Sequence, residues 1–391
     1  MCLTFALCAL NFALYNVPMS RAFYRTYRPS SFEDLLGQEP IQKTLREAAR
    51  QDKLAHAYLF AGPRGTGKTT TARLIAKIAN CETRAKDTKF KEKGEPCNHC
   101  QFCKDIDDGR SMDVIEIDAA SNRGIDEMRN LKETIRVVPT SASHRVFIID
   151  EAHQLTKDAW NALLKSLEEP PEYVIIILAT TESDKVPATI LSRAQQFYFK
   201  QASLAVIGKK LSHIIKEESI SIDSEALELI AATAEGSFRD AESLLDQLAS
   251  FTAGKITLEN VESMVGKVGF DKIWKFSATV LKNDLPSALS SLSSLYETGT
   301  NIVQFTKDLI QHIRRIAVLH YNPEMKTVFA NEVMNDHLEK LEEQSKYFTD
   351  KHIELLKALI EAHGQMKYSK FPIIPLEVAI IESLKSNTNI I

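Results

Sequence analysis

The spacing of hydrophobic positions changes along this chain, and the change divides it. Short, almost unbroken apolar runs lie at 56–61 (HAYLFA), 145–149 (RVFII) and 173–179 (YVIIILA), with a further strand-length run at 113–117. Runs of this length without polar alternation read as strands buried on both faces, as in a parallel sheet. Between them the apolar spacing is helical. Ala72, Ile75, Ala76 and Ala79 follow the first run; Ile125, Met128, Leu131 and Ile135 follow 113–117; Trp160, Leu163, Leu164 and Leu167 precede Pro170-Pro171. Thr156 is placed to cap that last helix and the two prolines to stop it. Strand and helix alternate from about Arg21 to Lys200, which predicts an α/β domain with a parallel sheet. Beyond Lys200 only helical periodicity remains. It predicts helices near 204–217, 223–234 and 239–251, then a second helical run over 267–384 with breaks near Asn283-Asp284, Gly299, Tyr321-Asn322-Pro323 and 371–375. The expected organisation is an α/β domain over 19–200, a small helical domain over 201–264 and a second helical domain over 265–391, with no internal repeat.

At the amino end, MCLTFALCALNFALYN carries no Lys or Arg, and none occurs until Arg21. It lacks the basic start and small-residue cleavage site of a signal peptide and falls short of about 20 apolar residues for a membrane span. Residues 1–18 therefore read as an extension ahead of a start at Met19. With 44% hydrophobic and 26% charged residues the 391-residue chain is of ordinary globular composition, with room for two or three domains. Its net charge of −4 excludes a globally basic nucleic-acid binder, so any DNA contact has to come from a local patch. Arg129, Lys132 and Arg136 mark one helical face, which reads as solvated rather than phosphate-binding.

Candidate chemistry is concentrated where the first strand meets its helix. Gly62-Pro63-Arg64-Gly65-Thr66-Gly67-Lys68-Thr69, followed by Thr70, fits G-x-x-x-x-G-K-[ST] at every fixed position. In that context the backbone N–H groups and the helix N-terminus face phosphates, Lys68 reaches the outer phosphates and the Thr69 hydroxyl can ligate Mg²⁺. The run 145–149 delivers Asp150-Glu151-Ala152-His153 at its end. Ligands of parallel sheets sit outside the carboxyl ends of strands, so this acidic pair should face the cradle, with Asp150 toward Mg²⁺ and Glu151 polarising a water. Thr180-Thr181, at the end of 173–179, offers a hydroxyl to sense the outermost phosphate.

Six cysteines are present: Cys2 and Cys8 in the extension, then Cys81, Cys97, Cys100 and Cys103. The spacing C-x₂-C-x₂-C lets successive thiolates converge on one ion, which reads as a zinc site, with Cys81 or His99 as fourth ligand. An iron–sulfur cluster uses a similar run, usually completed by Cys-Pro, and free thiols are the plainer alternative.

Strand, phosphate loop, acidic strand end, Thr181, then Leu191-Ser192-Arg193 and Gly236-Ser237-Phe238-Arg239-Asp240, resembles the layout of an AAA+ ATPase. Tyr24-Arg25-Thr26-Tyr27-Arg28-Pro29, Gly37-Gln38, the cysteine module after the phosphate-loop helix and Leu163-Leu164-Lys165-Ser166-Leu167-Glu168-Glu169-Pro170-Pro171 narrow this. From about Met19 onward the chain is similar to the gamma/tau family of bacterial DNA polymerase III, the motors of the sliding-clamp loader. The resemblance implies an ATPase domain with an inserted zinc module at 81–103, an all-α lid and an all-α collar that assembles with other subunits. It implies ATP and Mg²⁺ at Lys68, Thr69, Asp150 and Glu151, Thr181 as first sensor, Arg239 as second sensor and Arg193 as a finger reaching a neighbouring subunit. Arg25, Arg28 and Gln38 would line the adenine pocket, and Cys81 rather than His99 would complete the zinc site. Partners would be other loader subunits, the sliding clamp and primed DNA, in the cytoplasm and with no membrane.

Three departures stand out. Ser192-Arg193-Ala194 replaces the family's Ser-Arg-Cys, the loop between Cys81 and Cys97 is longer than expected, and the helicase- and polymerase-tethering domains of the long tau form are lacking, which predicts a short, gamma-like product. Competing readings are an ATP-inactive scaffold similar to the delta-prime subunit, another AAA+ motor acting on DNA, and a metal-dependent redox protein. The intact nucleotide motifs, the cysteine module and the absence of partner redox chemistry weigh against them in turn.

Overall fold

The computed structural model describes residues 22–385 apart from 123–130, 132, 253, 331–332 and 334. The extension, Met19, and Ile125, Met128, Arg129 and Lys132 lie outside the described residues. Leu131 and Ile135, from the same expected stripe, are buried against the sheet, and Arg136 is exposed.

Five parallel strands form one sheet in the order β2-β3-β4-β1-β5. β1 (Ala57–Ala61), β3 (Arg145–Asp150) and β4 (Val174–Thr180) are its buried interior, which is why they lack polar alternation. β2 (Val114–Asp118) and β5 (Gln195–Tyr198) are edges. β5 carries a single buried side chain, Phe197, and so gave no apolar run to read. Single-turn helices aside, the α/β part contains α1 (Glu39–Arg50), α2 (Lys68–Asn80), α3 (Gln101–Asp107) and α4 (Lys157–Glu168). Side chains alternate across β1 with period two. Tyr58 and Phe60 pack with Ile41, Leu45, Ala72, Ile75 and Ala76, whereas Leu59 packs on the other face with Trp160, Leu163 and Leu167. Thr156 caps α4 by accepting from Ala159 N, and the helix ends at Glu168, ahead of Pro170.

The chain then turns all-helical. α5 (Leu204–Glu217), α6 (Ser224–Thr233), α7 (Phe238–Phe251) and α8 (Leu258–Val265) enclose Ile207, Leu211, Ile230, Leu245 and Val261. The last bundle comprises α9 (Phe270–Leu281), α10 (Leu285–Glu297), α11 (Ile302–Tyr321), α12 (Asn335–Ser345), α13 (Lys351–Met366) and α14 (Ile373–Lys385). Phe305, Leu309, Ile313 and Ile316 of α11 form its axis. The break expected near 371–375 falls at 367–372, between α13 and α14, and Pro375 sits in the first turn of α14, where a missing N–H costs no hydrogen bond. Among the described residues no helix is long and apolar enough to cross a membrane.

Candidate nucleotide site and cysteine cluster

β1 leaves the sheet beside β4, where Gly62 N donates to Thr180 O at 3.1 Å. The turn that follows admits no side chain at two positions. Gly62 and Gly65 have φ of 145° and 73°. A Cβ on Gly62 would lie 2.4 Å from Phe199 O, and one on Gly65 1.9 Å from Ser237 Oγ. Thr66 Oγ1 donates to Pro63 O at 2.8 Å and pins the loop, while Arg64 is exposed at its tip. Gly67 is the N-cap of α2, so the helix starts at Lys68 with its positive dipole end inside the loop. Lys68 is buried, its Nζ donating to Gly62 O at 2.7 Å and Pro63 O at 2.8 Å. That burial holds the ammonium below the usual lysine pKa, with Asp150 and Glu151 opposing the shift.

Thr69 Oγ1 donates to Asp150 Oδ2 at 2.8 Å, joining the helix start to the end of β3. Thr70 is half-buried in the same turn. Glu151, which follows Asp150, takes left-handed backbone, φ 48°, an uncommon conformation outside glycine. Its N–H donates to Asp150 Oδ1 at 2.9 Å, and its Oε2 accepts from Thr181 Oγ1 at 3.2 Å. Lys68, Thr69, Asp150, Glu151 and Thr181 are therefore gathered at the carboxyl ends of three adjacent parallel strands. A buried cation and helix dipole suit an anion, and a hydroxyl paired with a carboxylate suits a hard divalent cation such as Mg²⁺.

The lid helices reach this loop directly. Ser237 caps α7, its Oγ accepting from Asp240 N at 3.3 Å, and Phe238 N donates to Gly65 O at 3.1 Å. Arg239 lies with its guanidinium 4.9 Å from the Tyr24 ring centroid. Arg28 is half-buried; burial and then the neighbouring Arg73 charge lower its pKa, with Arg239 and Arg25 adding to the repulsion. Arg73 itself pairs with Glu116 at 2.6 Å. These arginines create a positive field beside the phosphate-loop helix. Gln38 is different. It is buried with its amide bonded to Lys200, Nε2 to O at 2.8 Å and Oε1 from N at 3.2 Å, and so braces the chain leaving β5 against the start of α1.

Arg193 is not part of this gathering. It shares a recess with His56, Leu167, Glu168 and Ser192, and donates to Glu168 Oε1 at 2.7 Å, Thr189 O at 2.7 Å and Ser192 Oγ at 2.9 Å. His56 precedes β1 whereas Gly62 follows it. At about 3.3 Å per residue the two ends of that strand are roughly 15–20 Å apart.

Cys81, at the end of α2, and Cys97, Cys100 and Cys103, around the start of α3, bring their sulfurs within 4.8 Å of one another. Cys97 Sγ and Cys103 Sγ are 3.9 Å apart; a tetrahedral zinc with bonds of about 2.3 Å places its sulfurs about 3.8 Å apart. Cys103 and Cys81 share a hydrogen bond that favours the Cys81 thiolate and the Cys103 thiol. His99 stands outside the cluster: Nδ1 faces Cys97 O at 2.7 Å and Nε2 faces Thr83 Oγ1 at 3.4 Å. Of the two candidate fourth ligands, the fold brings in Cys81. Lys77, buried in α2, ties down the module through Asp107 and through Asn98 Oδ1 at 3.1 Å.

Patterning did not single out Arg73, Glu182 or a role for His153. Arg73 lies on α2 at a spacing that any solvated helix face shares, and Glu182 is a polar residue in a loop. Only His153, next to the acidic pair, carried a visible signal.

Comparisons with known proteins follow the same division. Residues 37–203 match a family model described as the DNA polymerase III delta subunit, 206–254 the ATPase lid domain of the DNA polymerase III clamp loader subunit, and 256–388 domain III of DNA polymerase III subunits gamma and tau. The chain is 40% identical over 362 residues to DNA polymerase III subunit tau of Bacillus subtilis, covering 93% of this chain and 63% of that one. It is 38% identical over 299 residues to the tau subunit of Escherichia coli, covering 76% and 45%. It is 32% identical over 363 residues to the gamma subunit of Buchnera aphidicola from Acyrthosiphon pisum, covering 93% and 98%. The chain thus spans less than two thirds of the tau relatives and nearly all of that gamma relative.

Proposed function

Because the chain belongs to the gamma/tau family of DNA polymerase III clamp-loader subunits, we propose that it is an ATP-hydrolysing motor of a sliding-clamp loader, acting with other loader subunits on a clamp and primed DNA. The observation that carries this is the contact of Thr69 Oγ1 with Asp150 Oδ2 beside the buried Lys68, which suits a triphosphate and a divalent metal. The loop from Gly62 to Thr70 and the Lys68 ammonium would take the triphosphate. Thr69 and Asp150 would hold Mg²⁺, which when bound neutralises charge between the outer phosphates. Glu151 would orient water, and Thr181, bonded to it, would register the outermost phosphate. Arg239, reached through the lid turn that touches Gly65, would read nucleotide within the subunit, with Arg25 and Arg28 near the base. Arg193, at the other end of β1, would serve a neighbouring subunit. Zn²⁺ would be held by Cys81, Cys97, Cys100 and Cys103 as a structural ion.

The match of 37–203 to a delta-subunit model keeps the ATP-inactive scaffold as the alternative. Steady-state hydrolysis by the assembled loader separates the two. Wild type should turn over ATP faster with clamp and primed DNA, and Lys68→Ala should lose ATP binding and turnover together. Unchanged turnover in Lys68→Ala would leave the scaffold.

A further inference from the structure

His153 follows the acidic pair closely, and its side chain is only 5% exposed. Its ring stands between two acidic groups that belong to different elements. On one side Nδ1 is 3.1 Å from Thr180 Oγ1 and 3.5 Å from Glu151 Oε2. On the other, Nε2 is 3.3 Å from Glu182 Oε1 and 3.0 Å from Gln154 Nε2. Thr180 is fully buried, and its Oγ1 also accepts from Glu182 N at 3.0 Å. The imidazole therefore ties the turn after β3 to the loop after β4.

The consequence for Glu151 is geometric. Its Oε2 accepts from Thr181 Oγ1 and faces the His153 ring, while Oε1 takes no part in these contacts. With Oε2 engaged on this side, Oε1 is the carboxylate oxygen left to meet a water. A carboxylate on left-handed backbone with a free side chain would sample several rotamers, few of them aimed correctly. We propose that His153 is a positioning residue for ATP hydrolysis: it holds Glu151 Oε2 against the Thr180–Glu182 loop, so that water orientation and phosphate sensing by Thr181 move as one unit. This rests on the ATPase reading above and adds a residue that acts through Glu151, touching neither nucleotide nor water.

The magnitude is bounded by what Glu151 contributes. A positioned base is worth about 10²–10⁴ in rate, and loosening it without removing it should cost part of that, on the order of tenfold. The test uses the full chain assembled with its loader partners and measures kcat alongside the Kd for a fluorescent, non-hydrolysable ATP analogue. His153→Ala should lower kcat about tenfold with Kd within about twofold of wild type. His153→Asn, which keeps an amide close to the place of Nδ1, should recover part of the rate; His153→Gln, whose amide reaches toward Nε2, should recover less. Glu182→Gln should lower kcat by a smaller factor. Unaltered kcat in His153→Ala, or equal loss of kcat and nucleotide binding in the Ala and Asn variants, would overturn the proposal. A wild-type assembly that binds the analogue but never turns over ATP would overturn the ATPase reading, and this proposal with it.

Discussion

Two buried side chains give stability opposite dependences on pH. Glu242 on α7 is buried with Lys210 4.0 Å away, and burial pushes its carboxyl up to about 7 from 4.5. The folded chain keeps that proton where the unfolded chain has lost it, so this group's contribution falls as pH rises from about 4.5 through 7. Glu242→Gln should therefore gain Tm relative to wild type as pH is raised from about 5 to about 8; a difference independent of pH would show that Glu242 is charged in the fold. His312 on α11 works the other way. Fully buried, with Nε2 2.8 Å from Gln344 Oε1, it is pushed down to about 4 from 6.5, so stability is lost as pH falls through that interval. Neither group was marked by its sequence neighbours, since burial of a polar side chain is decided by elements far apart in the chain. The phosphate loop is the contrary case. Gly62 and Gly65 are dictated by φ and by Phe199 and Ser237 close by, and a spacing motif records that demand in the sequence.

Among the elements, legibility followed burial for most, although the edge strand β2, with no buried side chain, was read from its sequence as well. β1, β3 and β4 lie inside the sheet and α5 spans 204–217 as its periodicity predicts, because one strong apolar pattern and one environment agree. The edge strand β5 and the short α8 were missed: each buries a single side chain, so neither imposes a pattern. The cysteine module gathers four sulfurs within 4.8 Å of one another. The 3.9 Å separation of Cys97 and Cys103 sulfurs supports one ion per chain, and elemental analysis of freshly purified protein should find about one zinc. Removing it with a chelator, or changing Cys103 to Ser, should expose the segment 81–107 to proteolysis while the helices beyond 204 stay protected. Iron, or a metal-free chain with the same protection, would count against a structural zinc.

At the scale of the molecule, the position of Arg193 fits the proposed division of labour between subunits. Beside His56, it sits at the opposite end of β1 from Gly62, so its own phosphate loop is out of reach. Arg193→Ala should keep nucleotide binding and lose stimulated hydrolysis; a finger supplied from a neighbour is worth about 10³–10⁵ in rate. Mixed assemblies of Arg193→Ala and Lys68→Ala chains should recover part of the activity wherever an intact site meets an intact finger. Mixtures that form yet hydrolyse no faster than either variant alone would place Arg193 in its own site. By itself the sequence determined the parallel sheet, the helical remainder, the phosphate loop, the acidic pair and the cysteine spacing, since each is written in contiguous residues with a fixed local geometry. Spacing left Cys81 and His99 both open, and the fold brings Cys81 to the sulfurs as the family resemblance implied; tertiary structure alone decided that Gln38 serves as a brace, that Ser237 meets Gly65, and that His153 lies between Glu151 and Glu182. Those contacts join segments separated by loops and whole helices, and no local period encodes which side chains the folded chain brings face to face.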